Sequence, residues 1–431
     1  MMATTLVLLL VLAGSGLFVA AVLGVLGYSL AAFFSPFPLI RGLGEVAWSS
    51  SADFILVAVP MFIMMGELLL RSGITDSMYD ALDRWVGHIP GGLMHTNIAA
   101  SAVFAATSGS SIATAATIGT VSIPNMERFG YKPGLFLGSI AAGGTLGILI
   151  PPSINMVLYG AMSDTAVSDL YLAGLIPGLL MACLFSLYIY LRCKLDRSLA
   201  PNGARARWGQ RLRGLVHLVP PLLLFLLVVG SIYAGLATAT EASALGVIGS
   251  LVLVIVRRRL TLALLLRAFE GTVRTTAMVM AIVIAAYFLN FVLSTLGLTD
   301  AAVKWVGELG WSPIAVLTAI IVLYVVLGCF VESLTLMIAT TPIVAPIIVQ
   351  LGFSPIWFGV VFVILIETAL ITPPIGMNLF VVQSVRKNGP FRDVVMGSLP
   401  FVVLMFLMIA ALIAFPDLAL WLPSAFAASR A

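Results

Sequence analysis

The chain alternates long apolar runs with short polar segments along nearly its whole length. A membrane-spanning helix needs about 20 consecutive apolar residues. The pattern therefore predicts an all-α polytopic membrane protein. The runs that predict spanning helices are 4–34, 50–70, 134–162, 168–190, 214–235, 238–255, 274–296, 355–384 and 394–415.

Two further apolar stretches, 92–127 and 312–350, are broken near their middles by small polar residues. We interpret each as a re-entrant helical hairpin, which enters the membrane and returns to the same side. The segments before them, 71–90 and 297–311, mix charge with Trp. They predict amphipathic arms that lie at the membrane interface.

The second half of the chain repeats landmarks of the first half in the same order. An ordered series that includes Trp, Asp and a double Pro is unusual in apolar sequence, where single chance matches are common. We therefore predict two structural repeats. The matches are Ser111 with Ser333, Pro124 with Pro346 and Pro151-Pro152 with Pro373-Pro374, all 222 positions apart, together with 73–76 and 297–300 (224 apart) and 85–87 and 305–307 (220 apart).

Basic residues predict the orientation, because Lys and Arg are enriched in the cytoplasmic loops of membrane proteins. The loop 191–213 is strongly basic, and 257–259 is the next basic cluster. With both inside, hairpin 92–127 opens to the cytoplasm and hairpin 312–350 opens to the outside. The two repeats are therefore predicted to have inverted topology, with a cytoplasmic N-terminus and a periplasmic C-terminus.

These features divide the chain into six segments. Each repeat is predicted to contain a helix, an interfacial arm, a hairpin, a helix broken at a Pro-Pro pair and a final helix. The segments are 1–49 (a membrane helix and an outer loop), 50–190 (repeat 1), 191–213 (a basic cytoplasmic loop), 214–273 (a pair of scaffold helices), 274–415 (repeat 2) and 416–431 (a periplasmic tail).

Composition supports a chain whose main partner is the lipid bilayer. Hydrophobic residues make up 61% of the sequence and charged residues 9%, and the mean hydropathy is +1.14. A soluble domain carries roughly 25% charged residues. The net charge of +4 comes from basic residues in short loops, so it is a topology signal and predicts no nucleic-acid partner. Scattered cysteines and histidines predict neither a disulfide framework nor a zinc site.

The middle of 92–127 is rich in Gly and hydroxyl residues, which allow a tight turn and supply oxygen ligands. Non-helical backbone at membrane depth is tolerated only where it is buried in protein or lines a cavity. We therefore predict a binding site here, and a packing face of small residues is the alternative. The candidate residues are Ser108, Ser110, Ser111 and Thr114.

Residues 143–153 read GGTLGILIPPS. Proline lacks an amide hydrogen and clashes with the preceding turn, so this segment should unwind in mid-membrane. Freed carbonyl groups are good ligands for a hard cation, which prefers oxygen. A simple proline kink is the alternative. The candidates are Gly144, Thr145, Gly147 and Pro151.

The second repeat supplies a matching hairpin turn and broken helix. Glu332 and Glu367 are acidic residues within apolar runs, where such groups are usually functional. They are compatible with binding a cation, carrying a proton or hydrogen-bonding loose backbone. Half-helix N-termini that converge at the midplane would suit a carboxylate substrate. The candidates are Glu332, Ser333, Thr335, Thr368, Thr372, Pro373 and Asn378.

Five stretches carry a family resemblance that spans nearly the whole chain. They include the SGSS turn and LGILIPPS, which together are specific, and TPPIG, which alone is weak. In combination they resemble the large, DctM-type membrane subunit of tripartite ATP-independent periplasmic (TRAP) transporters. The stretches are 60–67, 104–117, 146–153, 235–242 and 372–376.

The resemblance implies sodium-coupled uptake of an organic acid, a carboxylate, across a bacterial inner membrane. It implies two protein partners, a periplasmic substrate-binding protein and a small four-helix membrane subunit. It also implies an elevator, in which a transport domain with both hairpins moves against a scaffold domain. Sodium is the coupling ion, and no organic cofactor is expected.

Carried over by position, the resemblance implies two sodium sites. Site 2 is formed by Ser333, Thr335 and Thr372. The chain departs from the family in two places, because Glu332 stands where Asp is more frequent and Ala369 replaces a frequent Gly. Site 1 is formed by Ser108, Ser110, Ser111, Gly144 and Gly147.

Other classes of function are less consistent with the sequence. A stand-alone ion-coupled carboxylate transporter with a related inverted-repeat fold is the nearest alternative. A passive channel is less favoured, because hairpins that close from opposite sides suit alternating access. An intramembrane enzyme is not predicted, since the sequence shows no HExxH motif or nucleotide-binding loop.

Overall fold

The structure is a computed structural model that describes residues 2–14, 16–201, 206–328, 331 and 333–430. Every regular element in these ranges is a helix, so the all-α fold class is confirmed. Five of the helices are long and apolar enough to cross a membrane, and there are up to eight spans if each of three bent helix pairs counts as one. The chain is thus a multi-pass membrane protein.

Ten α-helices lie before residue 196, and twelve lie after residue 207 within the described residues. The first ten, with one 3-10 turn, are α1 (Met2–Gly14), α2 (Val19–Phe34), the turn Leu39–Gly42, α3 (Leu43–Ser51), α4 (Ala58–Ser72), α5 (Ile74–Val86), α6 (Leu93–Ser108), α7 (Ser111–Phe129), α8 (Pro133–Leu149), α9 (Ile154–Ser163) and α10 (Val167–Leu195). The others, with one π turn, are α11 (Trp208–Leu215), α12 (Val219–Phe225), the turn Leu226–Gly230, α13 (Ser231–Tyr233), α14 (Ala239–Val256), α15 (Leu262–Thr295), α16 (Leu298–Glu308), α17 (Pro313–Gly328), α18 (Ser333–Gln350), α19 (Pro355–Leu370), α20 (Met377–Arg386), α21 (Phe391–Ala414) and α22 (Asp417–Arg430).

Two helical hairpins lie where the polar interruptions predicted them. Helices α6 and α7 form hairpin 1, and α17 and α18 form hairpin 2. Two helices are also broken at the Pro-Pro pairs. Broken helix 1 consists of α8 and α9, which are bent by 43°. Broken helix 2 consists of α19 and α20, which are separated by residues 371–376.

The arms begin alike in the two halves of the chain. Gly73 precedes α5 and Gly297 precedes α16, with φ angles of 71° and 69°. Glycine reaches this left-handed region readily because it has no Cβ atom. The chain therefore turns sharply at this point, and α4 and α5 are bent by 73°.

Helices from the two halves of the chain pack against each other. Hairpin 1 packs on α8 and hairpin 2 on α19, so each hairpin contacts the first part of its own broken helix. The second parts are exchanged, because α9 packs against α18 and α20 packs against α7. Each hairpin is therefore enclosed by helices from both halves of the chain.

A second group of helices flanks this assembly. Helices α2, α3 and α4 pack against the long helix α15, and α14 packs against α4. We call α2, α3, α4, α14 and α15 the flanking helices. In this group α4 contacts α6 and α9, and α15 contacts α18. The flanking helices therefore border both hairpins.

Helix α11, at the end of the basic loop, is docked on the arm α5. The Arg211 guanidinium lies 5.9 Å from the Trp85 ring centre and 5.4 Å from that of Trp208. Its Nη2 atom is 3.2 Å from His88 Nδ1, and Trp85 Nε1 donates to the Arg211 carbonyl at 3.2 Å. Arg211 is only 5% exposed, so its guanidinium links the loop to the arm.

The structure corrects the N-terminal segment. One helix over 4–34, followed by an outer loop to residue 49, is wrong. Gly16 has a φ of 74° and separates α1 from α2, because a left-handed residue interrupts the helical path. The predicted outer loop contains the helix α3, which packs on α15.

The predicted boundary between residues 273 and 274 is also wrong, because it falls inside the continuous helix α15. Its charged residues Arg267, Glu270 and Arg274 are exposed on the helix surface. A helix of 34 residues is about 51 Å long, whereas the hydrocarbon core of a bilayer is about 30 Å thick. The first turns of α15, which carry the charged residues, can therefore lie outside the hydrocarbon core.

The loop 191–213 and the tail 416–431 contain helices that the sequence did not predict. Helix α10 continues to Leu195, with Arg192 and Lys194 in its last turn, where positive charge favours the helix C-terminus. Helix α11 occupies the other end of the loop, and Arg205 lies outside the described residues. The predicted tail is largely the helix α22, which packs on α10.

Candidate functional site

The turn of hairpin 1 is built from hydroxyl groups. Gly109 ends α6 with a φ of 60°, and the Ser110 hydroxyl accepts from the Ala113 amide at 3.3 Å, which caps α7. Thr114 Oγ1 donates to the Ser110 carbonyl at 2.7 Å. The Ser108 and Thr114 hydroxyls lie 3.0 Å apart. Because Thr114 gives its one proton to Ser110, Ser108 is the donor between these hydroxyls.

Broken helix 1 lies directly against this turn. A Cβ atom added to Gly147 would lie 2.6 Å from the Ser110 carbonyl oxygen and 2.7 Å from Thr114 Oγ1. A Cβ atom on Gly144 would lie 3.2 Å from the Ser111 carbonyl oxygen. The two glycines thus allow the predicted site 1 residues to meet. The structure brings this whole set together.

The unwound segment of broken helix 1 is short and capped. Pro151-Pro152 has a cis peptide bond, and both residues are buried. The Ser153 hydroxyl accepts from the Met156 amide at 3.3 Å, so Ser153 caps α9. The predicted site residue Thr145 is buried and its hydroxyl donates to the Ala142 carbonyl at 2.7 Å. Its hydrogen is therefore used within α8.

The matching segment of broken helix 2 directs its hydroxyl hydrogens to its own helix. Thr368 Oγ1 donates to the Ile364 carbonyl at 2.7 Å, and Thr372 Oγ1 donates to the Thr368 carbonyl at 2.6 Å. Pro373-Pro374 has a cis peptide bond, like its counterpart. The hydroxyl oxygens keep lone pairs that can bind a cation.

Ser333 and Thr335 lie at the start of α18 and are buried. Helix α18 packs against α19, after which Thr372 follows. The predicted site 2 residues therefore lie on two neighbouring elements. The predicted site residue Glu332 lies outside the described residues, and Glu367 is buried near the end of α19.

Asn378 joins the two halves of the predicted site. Its side chain is fully buried, and Nδ2 donates to Ser111 Oγ at 2.9 Å. The same nitrogen lies 3.4 Å from the Ala141 carbonyl oxygen. The first turn of α20 is thereby fixed to the turn of hairpin 1.

A cavity of about 340 Å³ lies between both hairpin turns, α9 and the flanking helices. Four predicted site residues line it, namely Ser108, Ser110, Ser111 and Ser333, whereas Thr372 and Asn378 are not among its described lining residues. Three helices begin at the cavity: α7 at Ser111, α9 at Ile154 and α18 at Ser333. Their N-terminal ends carry partial positive charge.

The flanking helices close the other side of the cavity. Glu67 on α4 and Thr275 on α15 are polar lining residues that sequence reasoning missed. Glu67 accepts from Arg71 Nε at 3.1 Å and from Arg71 Nη2 at 2.7 Å. Its charge is therefore balanced inside α4. The pattern Glu67–Arg71, four residues apart on one helix, was the available signal.

Asn155 is a third lining residue that sequence reasoning missed. It follows the Pro-Pro pair in the first turn of α9 and is 1% exposed. A single Asn after the double proline was its only signal in the sequence.

Two hairpins and two proline-broken helices that meet at one cavity are the build of a membrane transport protein. The profile of the family described as "Tripartite ATP-independent periplasmic transporter, DctM component" matches residues 6–418. The chain belongs to this family, so it is a transport permease and not an enzyme.

Three curated relatives show the range of this family. The chain is 34% identical over 404 residues to the C4-dicarboxylate TRAP transporter large permease protein DctM of Pseudomonas aeruginosa, covering 93% of each chain. It is 34% identical to the ectoine/5-hydroxyectoine large permease protein UehC of Ruegeria pomeroyi, covering 85% of each chain. It is 33% identical to the sialic acid large permease protein SiaM of Vibrio cholerae, covering 87% of each chain.

A solved structure shares the fold at low sequence identity. The YdaH transporter of Alcanivorax borkumensis has a TM-score of 0.66 and 15% identity, covering 96% of this chain and 98% of that one. Its crystal structure is described as having an unusual topology. At this identity the likeness concerns the fold alone.

Proposed function

We propose that the chain is the membrane-transport subunit of a TRAP system that imports an organic acid, driven by sodium. One observation carries the proposal: three helix N-termini and four serine residues line one cavity between the hairpin turns. Helix N-termini attract anions through their dipoles and free amide groups. A carboxylate in this cavity would meet donors without needing a charged partner.

Sodium coupling is supported by the chemistry of the oxygen atoms around the cavity. Site 1 consists of Ser108, Ser110, Ser111, Gly144 and Gly147, and site 2 of Ser333, Thr335 and Thr372. Hydroxyl and carbonyl oxygens are the ligands that hard cations prefer. Because Gly147 has no side chain, broken helix 1 can lie against the Ser110 carbonyl group and the Thr114 hydroxyl group, which are hydrogen-bonded to each other. This close approach supports site 1.

We propose an organic acid as the cargo because the names of the relatives specify such compounds. C4-dicarboxylates, ectoine and sialic acid all carry a carboxylate group, and each is named as the cargo of a relative. The cavity of about 340 Å³ has room for a small acid together with water. Family membership also supports the two partners, the substrate-binding protein and the small four-helix membrane subunit.

The location and the mechanism complete the proposal. The chain acts in the bacterial inner membrane with its N-terminus in the cytoplasm and its C-terminus in the periplasm. The hairpins and broken helices form an elevator-type transport domain that moves against the flanking helices. The cavity lies between these two groups, where such a movement would change its access. The two repeats have inverted topology in this arrangement.

The stand-alone carrier is not favoured by any specific observation. The family profile covers residues 6–418 and belongs to a tripartite system, and the similarity to the YdaH transporter concerns the fold alone. Uptake in the absence of the binding protein would nevertheless favour a stand-alone carrier.

The experiment is uptake into proteoliposomes that contain this chain and its small subunit, with the binding protein outside. The acid is chosen by thermal-shift screening of the cognate binding protein against organic acids. Uptake should require an inward sodium gradient, and equal rates with and without the gradient would indicate a channel. The variants Ser111→Ala and Thr372→Ala should raise the sodium concentration for half-maximal uptake about tenfold.

The matched control is Thr120→Ala. Thr120 is an exposed residue of α7 whose hydroxyl donates to the Ala116 carbonyl at 2.8 Å, as Thr372 donates to its own helix. Sodium dependence should not change in this variant. Normal sodium dependence in both site variants would refute the assignment of the two sites.

A further inference from the structure

Asn155 holds a buried amide group at the edge of the cavity. It is 1% exposed, lies in the first turn of α9 and lines the cavity together with Ser111 and Ser333. Its Nδ2 atom has no hydrogen-bond partner among the residues that the structure describes. A buried amide without a hydrogen bond costs about 1–3 kcal/mol, so the protein holds a donor here at the expense of stability.

Two other buried asparagines show what a structural amide looks like in this chain. Asn97 Nδ2 donates to Ser139 Oγ at 2.9 Å, and its Oδ1 accepts from Tyr79 at 2.7 Å. Asn378 Nδ2 donates to Ser111. Asn155 differs from both, because its Nδ2 has no side chain or carbonyl partner among the described residues and the residue lines the cavity.

The chemistry of the neighbourhood favours an anion as the missing partner. An amide nitrogen is only a donor, so Nδ2 cannot bind sodium. Asn155 also belongs to the N-terminal turn of a ten-residue helix, whose dipole attracts negative charge. The described lining residues include no Lys, Arg or His, and Glu67 is already paired with Arg71.

We propose that Asn155 Nδ2 donates a hydrogen bond to a carboxylate oxygen of the transported acid and anchors it at the N-terminus of α9. This inference rests on the proposed function, because it assigns a residue that binds the cargo of that transport. It separates two tasks within the cavity. The serine turn of hairpin 1 binds sodium, and Asn155 binds the acid.

The experiment compares Asn155→Asp and Asn155→Leu with the wild type in the complete reconstituted system. Both substitutions keep the approximate size of the side chain and remove the donor, and Asp adds a negative charge. The probes are radiolabelled succinate, lactate, 2-oxoglutarate and N-acetylneuraminate, each presented with saturating cognate binding protein. The matched control is Asn125→Asp, because Asn125 is a half-buried residue of α7 outside the cavity whose Nδ2 donates to the Val121 carbonyl at 3.3 Å.

The initial rate with the imported acid should fall about ten- to hundredfold in both variants, as expected for losing a hydrogen bond to a charged group. The sodium concentration for half-maximal uptake should stay at the wild-type value, and the melting temperature of Asn155→Leu should not fall below that of the wild type. Asn125→Asp should transport normally. A variant that melts early is replaced by the other, since a buried charge and an apolar side chain disturb folding in different ways.

Three results would overturn the inference. Wild-type rates in a folded Asn155 variant would refute the anchor and leave sodium-driven import intact. A changed sodium dependence with an unchanged acid-dependent rate would assign Asn155 to the ion sites instead. A wild-type system that does not import the acid bound by its cognate binding protein would refute the proposed function, and the anchor with it.

Discussion

Asn378 donates a hydrogen bond to the Ser111 hydroxyl at 2.9 Å although 267 positions separate the two residues. Asn378 is in the first turn of α20 and Ser111 is the first residue of α7. The bond therefore joins the second broken helix to the first hairpin turn. Both residues were predicted from the sequence to be site residues, but their contact was not.

The first prediction concerns this bond. Asn378→Ala and Ser111→Ala should each lower the stability of the purified protein, because a buried hydrogen bond is lost. Their combined effect should be smaller than the sum of the two, with a coupling energy of about 0.5–3 kcal/mol. Unfolding of the four proteins, followed by intrinsic fluorescence in detergent, measures this coupling.

The control for the coupling is Asn378→Ala combined with Ser122→Ala. Ser122 lies on the same helix as Ser111, about 16 Å farther along it by helical rise. The two effects should add within about 0.5 kcal/mol. Strict additivity for the Asn378 and Ser111 pair would contradict the role of the bond.

The second prediction concerns Gly147, which brings broken helix 1 against the turn of hairpin 1. In Gly147→Ala the new methyl group would lie 2.6 Å from the Ser110 carbonyl oxygen, so the turn must move. We expect a loss of about 1–3 kcal/mol in stability from overpacking and weaker sodium dependence of uptake. Thermal unfolding and sodium titrations of uptake check the two effects.

Gly119→Ala provides the comparison for Gly147. Gly119 is a buried helical glycine whose added Cβ would have no neighbour nearer than 3.6 Å. Alanine favours a helix over glycine by about 1 kcal/mol, so this variant should be as stable as the wild type or more so. If Gly147→Ala is also as stable as the wild type, Gly147 is not needed for the contact between broken helix 1 and the turn of hairpin 1.

The third prediction concerns the contact between Gly328 of hairpin 2 and Ala369 of broken helix 2. The resemblance noted in the sequence has Gly where this chain has Ala369, and a Cβ atom on Gly328 would collide with the Ala369 methyl group. Gly328→Ala should therefore reduce stability by about 1–3 kcal/mol. The double variant Gly328→Ala with Ala369→Gly should recover most of this loss.

The swap is tested by thermal unfolding of the two single variants and the double variant. Recovery in the double variant shows that the two helices need one small residue at their contact, on either side. A double variant no more stable than Gly328→Ala alone would rule out this explanation of the departure from the family pattern.

The fourth prediction concerns the link between α11, at the end of the basic loop, and the arm α5. Arg211→Lys keeps the charge but loses the planar guanidinium that lies near the rings of Trp85 and Trp208. The two side chains are not interchangeable at stacked sites. We expect a loss of about 0.5–2 kcal/mol, since cation–π contacts of this kind contribute that much, and faster proteolysis of the loop 191–213.

Arg213→Lys is the matched control, because Arg213 is two residues away on α11 and exposed. In this variant the loop 191–213 should be cleaved at the wild-type rate, as measured by limited proteolysis and mass spectrometry. Equal cleavage of the Arg211 and Arg213 variants would show that the guanidinium does not fix the loop.

Much of the fold followed from proline, glycine and hydroxyl residues in apolar sequence. The Pro-Pro pairs predicted the breaks that separate α8 from α9 and α19 from α20, because proline disrupts a helix by local geometry. The serine turn of hairpin 1 was predicted for the same reason. Local steric effects are visible in the sequence because they depend on few neighbouring residues.

Features that depend on distant contacts were missed or wrong. The tail 416–431 was not recognised as a helix, because α22 is stabilised by packing on α10. The predicted boundary at residue 273 was wrong because α15 continues through it, with its charged residues on the exposed surface of the helix. Asn155 was missed since its importance comes from the cavity around it, which is completed by residues of seven other helices and the turn of hairpin 1.

The exchange of α9 and α20 between the hairpins has a consequence for the order of biosynthesis. Ser111 leaves the ribosome 267 residues before Asn378, or roughly 13 to 50 seconds earlier at ordinary translation rates. The turn of hairpin 1 is thus fixed to α20 only when the polypeptide is nearly finished. A chain that terminates early lacks α20, so a truncated product enters the membrane without the residue that fixes the turn of hairpin 1.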